Sequence, residues 1–317
     1  MPTQNIRGKA FEYACLSALY TFLNGTQPVE IVASSSVEKA HQSYFNLSNR
    51  LRESMDLAAD AAVRVLIRLE PQLENFMENI PLYLEIQPDS QGQVGDVRDI
   101  LALRRQNNWE IGLSAKHNHA AVKHSRLSQT IDFGDKWLQV PCSYQYFTEI
   151  NPYFTRLSVL REQRAEWNSV PDKAQEYYIP ILDAFIRELQ SIYEQHGAMI
   201  PQRLLSYLLG RYDFYKIIAH KSTRTTEIQG FSLYGTLNNQ AGGIRPQVRM
   251  PRVRLPSRFH SIDYKPGSDN TIFIVCDEGW TISARLHNAR TLVEPSVKFD
   301  ITLIGVPPSL YRHHEPW

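Results

Sequence analysis

The chain has 317 residues, 43% of them hydrophobic and 21% charged, with a formal net charge of +1 at pH 7. That length can bury a sizeable core in one large domain or two, and the near-neutral total gives no whole-molecule argument for an oppositely charged partner. Apolar runs are broken by charge well short of the ~20 residues of a membrane span, no secretory pattern opens the chain, and Cys15, Cys142 and Cys276 lack disulfide or metal-ligand spacing; a cytoplasmic protein with reduced thiols and no membrane partner is expected.

The first predicted element is a helix over 7–23, closed by Asn24-Gly25. Phe11, Cys15, Ala18 and Phe22 form one apolar row, and Leu16, Leu19 and Leu23 another headed by Glu12. A carboxylate heading a buried row needs a partner. Helices are expected over 37–53 and 55–69, then a strand over 82–87 and a turn at 88–92. Two apolar runs follow, 96–104 and 109–116, joined by the polar Arg105-Gln106-Asn107-Asn108. They read as a β-hairpin.

Its register can be worked out. With Arg104 and Trp109 flanking the loop, Asp99 falls opposite Ser114, and alternation places Lys116 on the same face as both. The Cβ atoms of Asp99 and Ser114 should lie ~5 Å apart, with Lys116 on the diagonal at ~7–8 Å. Asp96 falls opposite His117 on the other surface and ranks second as an acid. Such a pairing suits phosphodiester hydrolysis. A hard divalent ion such as Mg²⁺ takes oxygen ligands, here the Asp99 carboxylate and the Ala115 carbonyl, while the Lys116 ammonium positions a water and offsets developing negative charge. The same pattern also fits an ordinary cross-strand ion pair on a surface hairpin.

After the hairpin, a helix over 120–130 is expected to carry Lys123, His124 and Arg126 toward DNA. Residues 143–210 read as largely helical, with 180–196 the strongest element, since proline is welcome in a first turn. From there the periodicity turns to strands, at 214–218, 225–237, 271–276, 281–287 and 297–305. The fold class is therefore α/β or α+β, divided near 212 into a helical and catalytic part, 1–211, and a basic β-rich part, 212–317. Between Lys216 and Ile262 stand eight lysines and arginines against a single acid, Glu227. Phosphate contacts need such a surplus. Within it, Arg252 and Arg254 alternate with apolar and proline residues, an extended arm able to lie in a groove.

Asp99 ahead of Ile100-Leu101-Ala102-Leu103, with Ser114-Ala115-Lys116 ending the next strand, resembles the PD-(D/E)XK nuclease core, with Ser114 where a second acid usually stands. Gly8-Lys9-Ala10-Phe11-Glu12-Tyr13-Ala14-Cys15, the hairpin, Lys123-His124-Ser125-Arg126-Leu127-Ser128 and Arg285-Leu286-His287-Asn288-Ala289 together resemble the HaeIII-type restriction endonucleases nearly end to end. The resemblance implies a nuclease-like mixed sheet flanked by helices and Mg²⁺-dependent cutting of double-stranded DNA at GGCC. It also implies a protective methyltransferase as a functional partner. In the superfamily a glutamate from the first helix often joins the site, which implies a metal-ligand role for Glu12 beside Asp99 and, less directly, Asp96. Arg285, His287 and Asn288 fit base reading at a strand end, arginine being suited to guanine. The alternative is a non-catalytic DNA-binding protein on a degenerate nuclease scaffold, kept open by Ser114; an RNA-processing hydrolase would want an aromatic platform that is not evident.

Overall fold

A computed structural model describes residues 3–74, 80–118 and 121–317, without the side chains of Gln93, Val94, Ala121 and His124. In chain order the main elements are α1 (Gln4–Leu23), β1 (Val29–Ile31), α2 (Ser35–Phe45), α3 (Asn49–Leu69), β2 (Leu82–Ile86), β3 (Ile100–Arg104), β4 (Trp109–His117) and β5 (Ala121–Ser128). There follow α4 (Tyr144–Glu162), α5 (Ile179–His196), α6 (Met199–Leu209), β6 (Phe214–His220), β7 (Thr225–Phe231), β8 (Phe259–Tyr264), β9 (Thr271–Cys276), β10 (Thr281–His287), β11 (Ser296–Gly305) and β12 (Tyr311–Pro316). The fold is mixed α+β, and no described helix is long and apolar enough to cross a membrane.

The chain forms two compact units that interleave along the sequence: residues 1–120, 211–253 and 309–317 in one, 121–210 and 254–308 in the other. The contiguous division expected at 212 meets one of these crossings and none of the rest.

The first unit is built on a seven-stranded sheet ordered β1-β2-β3-β4-β6-β7-β12, parallel at β1/β2 and β4/β6 and antiparallel elsewhere. One face is apolar because alternate residues point the same way: Ile100 and Ala102, Ile111, Leu113 and Ala115, Tyr215 and Ile217, and Ile228 join a core with Phe11, Leu16, Ala62 and Leu66 of α1 and α3. The expected hairpin register is realised, from Ile100↔Leu113 to Arg104↔Trp109. A 3₁₀ turn closes it, with Asn108 in the left-handed region at φ 50°, a conformation asparagine tolerates well. Arg104 anchors that end: its buried guanidinium donates to the Gln72 and Ile80 carbonyls at 2.8 and 2.7 Å and to Gln27 Oε1 at 2.6 Å.

The second unit holds an antiparallel sheet ordered β5-β11-β10-β9-β8 with α4, α5 and α6. Its core is aromatic: Phe133, Trp137, Tyr146, Phe185 and Phe299 meet at ring-centroid separations between 4.6 and 6.1 Å. Here the sequence reading needs correcting. Residues 121–128 are strand β5, not a helix, paired with β11 from Ser296↔Ser128 to Thr302↔Ala121. A ladder formed with a segment far along the chain outweighs local helical preference. Strands β1, β8 and β12 were likewise not expected. β1 has three residues, and β12 is a polar edge strand with no fully buried side chain.

Candidate active site

β3 ends its pairing with β4 at Ile100, and one residue earlier a carboxylate takes over. The Asp99 amide donates to the Leu113 carbonyl at 2.8 Å and its carbonyl accepts from Gln87 at 2.9 Å, so the residue is pinned between β2 and β4. Three donors from β4 converge on one oxygen, Oδ2: the Ala115 amide at 2.8 Å, the Ser114 hydroxyl at 3.2 Å and the Lys116 ammonium at 2.8 Å. No hydrogen bond found among the described residues reaches Oδ1. Asp99, Ser114, Ala115 and Lys116 are thus brought together, although Ala115 meets the carboxylate through its N–H, not the carbonyl expected as a ligand.

Glu12 belongs to the same electrostatic group. It lies on the buried side of α1, 5% exposed, and its Oε2 accepts from Lys9 at 2.9 Å. Burial and the negative charge of Asp99 push its carboxyl up to about 8, against the opposing pull of Lys9 and Lys116. Lys9 bridges Glu12 and Asp89, and although burial alone would lower its ammonium, these acids hold it above the usual lysine range. The negative charge of Asp99 thus reaches Glu12 on α1.

Asp96 is engaged elsewhere. Its oxygens accept from the Arg98 side chain at 2.8 Å twice and from Gln87 at 3.0 Å, and Arg98 also binds Glu110 at 2.7 Å. Burial works against the Asp96 charge, but these donors outweigh it and hold the carboxyl below its usual value. With both oxygens spoken for, Asp96 is a structural ion-pair partner and does not face His117. The stem of Arg98 lies flat across Gly112: a Cβ there would stand 1.9 Å from its Cδ and 2.9 Å from its Cβ.

One residue escaped the sequence reading. Parallel pairing of β4 with β6 sets Lys216 beside Ser114, 3% exposed. Burial first, then the charge of Lys116, bring its ammonium down to about 7, against the pull of Glu227 and Asp99. The signal was available: Lys216 is the lone charge in Phe214-Tyr215-Lys216-Ile217-Ile218, but it was counted with the basic surface segment instead.

The expected DNA-facing residues divide. Lys123 turns inward, its ammonium 2.8 Å from the Tyr207 carbonyl and 3.6 Å from that ring's centroid, and burial lowers it to about 8. It is a half-buried strand residue whose ammonium is engaged with Tyr207. The side chain of His124 lies outside the described residues. Arg126 is paired with Glu294 at 3.2 Å and Arg285 with Asp300 at 3.3 Å. Asn288 closes the loop after β10, donating to the Arg290 and Leu292 carbonyls and accepting from the Glu294 amide. Its amide is thereby engaged within the loop. His287 is half-buried, and Nδ1 lies 3.1 Å from the Asn288 carbonyl. Arg252 and Arg254 are exposed on a stretch with neither helix nor ladder, Arg252 donating to the Leu233 and Tyr234 carbonyls.

A carboxylate, an ammonium and a hydroxyl meet at the open end of a hairpin within a helix-backed sheet, in a chain whose sequence has known relatives. The sequence profile of the HaeIII restriction endonuclease family matches residues 8–307. The chain is 42% identical over 313 residues to the type II restriction enzyme HaeIII of Haemophilus aegyptius, a match covering 99% of this chain and 98% of that protein. The class is therefore that of type II restriction endonucleases, whose partner is DNA. More narrowly, the chain belongs to the HaeIII restriction endonuclease family. No solved structure matches it.

Proposed function

We propose that this endonuclease cuts double-stranded DNA at GGCC with Mg²⁺ as its ion, and that Asp99, Glu12 and Lys116 form the reacting centre. The observation that carries the reading is the convergence of the Lys116 ammonium, the Ser114 hydroxyl and the Ala115 amide on a single oxygen of Asp99. Among the described residues no three His, Cys, Asp or Glu side chains could hold an ion by themselves. Mg²⁺ does not need three: it is commonly held by one or two carboxylates, with waters and substrate phosphate completing its shell. The mutual repulsion of Glu12 and Asp99 fits such an ion. When bound, a divalent ion supplies Lewis-acid polarisation of the phosphoryl group.

The chain's own groups do the rest. The Ala115 amide fixes the Asp99 carboxylate, and the Lys116 ammonium stands where charge develops on the phosphate. Ser114 adds a neutral donor at the position where related nucleases often have an acid. Exposed Arg245, Arg249, Arg252 and Arg254 supply phosphate contacts that set register without reading sequence, and Arg285 is the remaining candidate for guanine. A methyltransferase protecting the same site completes the system as a functional partner. Supercoiled plasmid bearing GGCC sites, incubated with Mg²⁺, should give discrete fragments ending at those sites; a mobility shift without cleavage would count against the reading.

A further inference from the structure

The turn that joins β6 to β7 is fastened beside the hairpin. Lys116 lies opposite Ile218 in the parallel β4/β6 pairing, and Asn118 carries that pairing on: its amide donates to the Ala219 carbonyl at 2.9 Å, and its Oδ1 accepts from the Lys221 amide at 2.8 Å. At the far side of the turn the Arg224 carbonyl accepts from the Trp317 amide at 3.0 Å, and the Arg224 guanidinium lies 5.8 Å from the centroid of that indole. Lys221-Ser222-Thr223-Arg224 is thus held at both ends.

This turn and the N-terminal part of α3 enclose a pocket of about 320 Å³ that lies wholly within the first unit. Its lining includes three cations, Arg50, Lys221 and Arg224, against one acid, Glu53. All four side chains are exposed, and among the described residues Glu53 forms no ion pair with any of the three. Cations gathered around one concavity raise a positive potential that an anion relieves. Arg224 stands at φ 50°, a conformation glycine adopts freely and arginine at a cost, so the backbone by itself gives no reason for an arginine here.

We propose that this pocket is a phosphate site for DNA outside the recognition sequence, in which Arg50, Lys221 and Arg224 hold backbone oxygens of the duplex flanking GGCC. Its distance from the cut rests on the reading of Asp99 and Lys116 as the nuclease centre. Lys221 follows Ile218, the partner of Lys116, by three residues, ~10 Å of strand, over which a DNA strand advances about three nucleotides. The backbone is favoured over an unstacked base because the Trp317 face that could stack one already carries the Arg224 guanidinium. Contacts of this kind add affinity and position the duplex without reading its sequence.

Equilibrium binding without Mg²⁺ tests the site, using duplexes with GGCC at the centre and one flanking phosphate at a time replaced by a neutral methylphosphonate. At least one flanking replacement should cost the parental protein about 5-fold or more in affinity and the combined variant Arg50→Gln, Lys221→Gln, Arg224→Gln less than about 2-fold. On the unmodified duplex the variant's slope of log affinity against log salt should be smaller by about 2–3. A scan in which every flanking replacement costs both proteins alike would overturn the assignment, since the contacts would then come from elsewhere, such as Arg245, Arg249 and Arg254. Should the combined variant not fold, Arg224→Gly, which suits a φ of 50°, carries the same scan, and a full parental loss at every linkage in it overturns the assignment. Lys116→Ala, assayed for cleavage alongside, keeps the two readings apart. An inactive Lys116→Ala with equal losses in the scan overturns the phosphate site alone. A parental cleavage rate in Lys116→Ala, with the loss abolished in the combined variant, upholds the phosphate site and overturns its distance from the cut.

Discussion

Charges gather very differently on the two sheets. Around β3, β4 and β6 of the first unit, Glu12, Lys216 and Ser114 are buried and Asp99 and Lys116 half-buried. On the second unit's sheet the pairs Arg126–Glu294 and Arg285–Asp300 keep their arginines exposed, 38% and 54% respectively. Exposed pairs are worth roughly 0–1 kcal/mol and are placed there at little cost. Buried ones are a burden unless geometry or a ligand repays it. The contrast teaches that the electrostatic cost of placing charges differs between the sheets more than their number does: the basic segment 216–262 is richer in arginine, yet the proposed reacting centre draws on the buried Glu12 and Ser114.

The sharpest way to break the contrast is to remove a member of the hidden set. Asp99→Asn and Lys116→Ala should each lower cleavage by about 10³-fold and leave duplex binding measurable in a mobility shift; parental rates in either would dissolve the distinction. Glu12→Gln should lower cleavage less and raise the Mg²⁺ concentration needed for half-maximal rate by roughly 10-fold or more, read from an Mg²⁺ titration.

Glu70 sharpens the comparison, because it is a buried acid with no bond to Asp99 or Lys116. Burial pushes its carboxyl up to about 7, against hydrogen bonds from Tyr215 and the Asn238 amide. The folded protein thus holds that proton more tightly than the unfolded chain, whose carboxyl titrates near 4.5. The resulting stability is present below pH 4.5 and is lost as pH rises through 7. Unfolding free energies from urea titrations at pH 5 and pH 8 should differ by on the order of 1–3 kcal/mol from this group, and Glu70→Gln should remove that part of the difference. An unchanged slope with pH would show that burial alone does not govern acids in this unit.

Smaller effects belong to the exposed charges. Arg254→Ala should reduce the slope of log affinity for duplex against log salt by about 1, uniformly across sequences, with cleavage rate at saturating DNA unaltered. Arg126→Ala should change unfolding free energy by less than about 1 kcal/mol; a larger loss in urea unfolding would mean that the second sheet depends on its ion pairs after all.

How much could be read from the chain alone follows the same divide. The hairpin was legible, register included, because two runs of period-two apolar residues flank a polar loop, and register fixed which side chains meet Asp99. The first helix was legible from its apolar rows. β5 was not, because Lys123-His124-Ser125-Arg126 offers no apolar alternation, and its partner β11 lies some 170 residues away in the numbering. Lys216 was hidden by arithmetic: counted as one of many cations, it lost the local context that makes it unusual. The Asp96–Arg98 pair was missed because a carboxylate next to a strand reads the same whether it awaits an ion or already holds a guanidinium.

Gly112 carries a consequence of its own. Because the hydrocarbon stem of Arg98 occupies the space that any side chain at 112 would need, the two positions are tied as a pair: arginine at 98 is compatible with glycine opposite and with nothing bulkier. Gly112→Ala would lever the guanidinium away from Asp96 and Glu110, loosening the backbone one step before Asp99. A single missing methyl thus acts as the template against which Arg98, and the backbone leading into Asp99, is aligned.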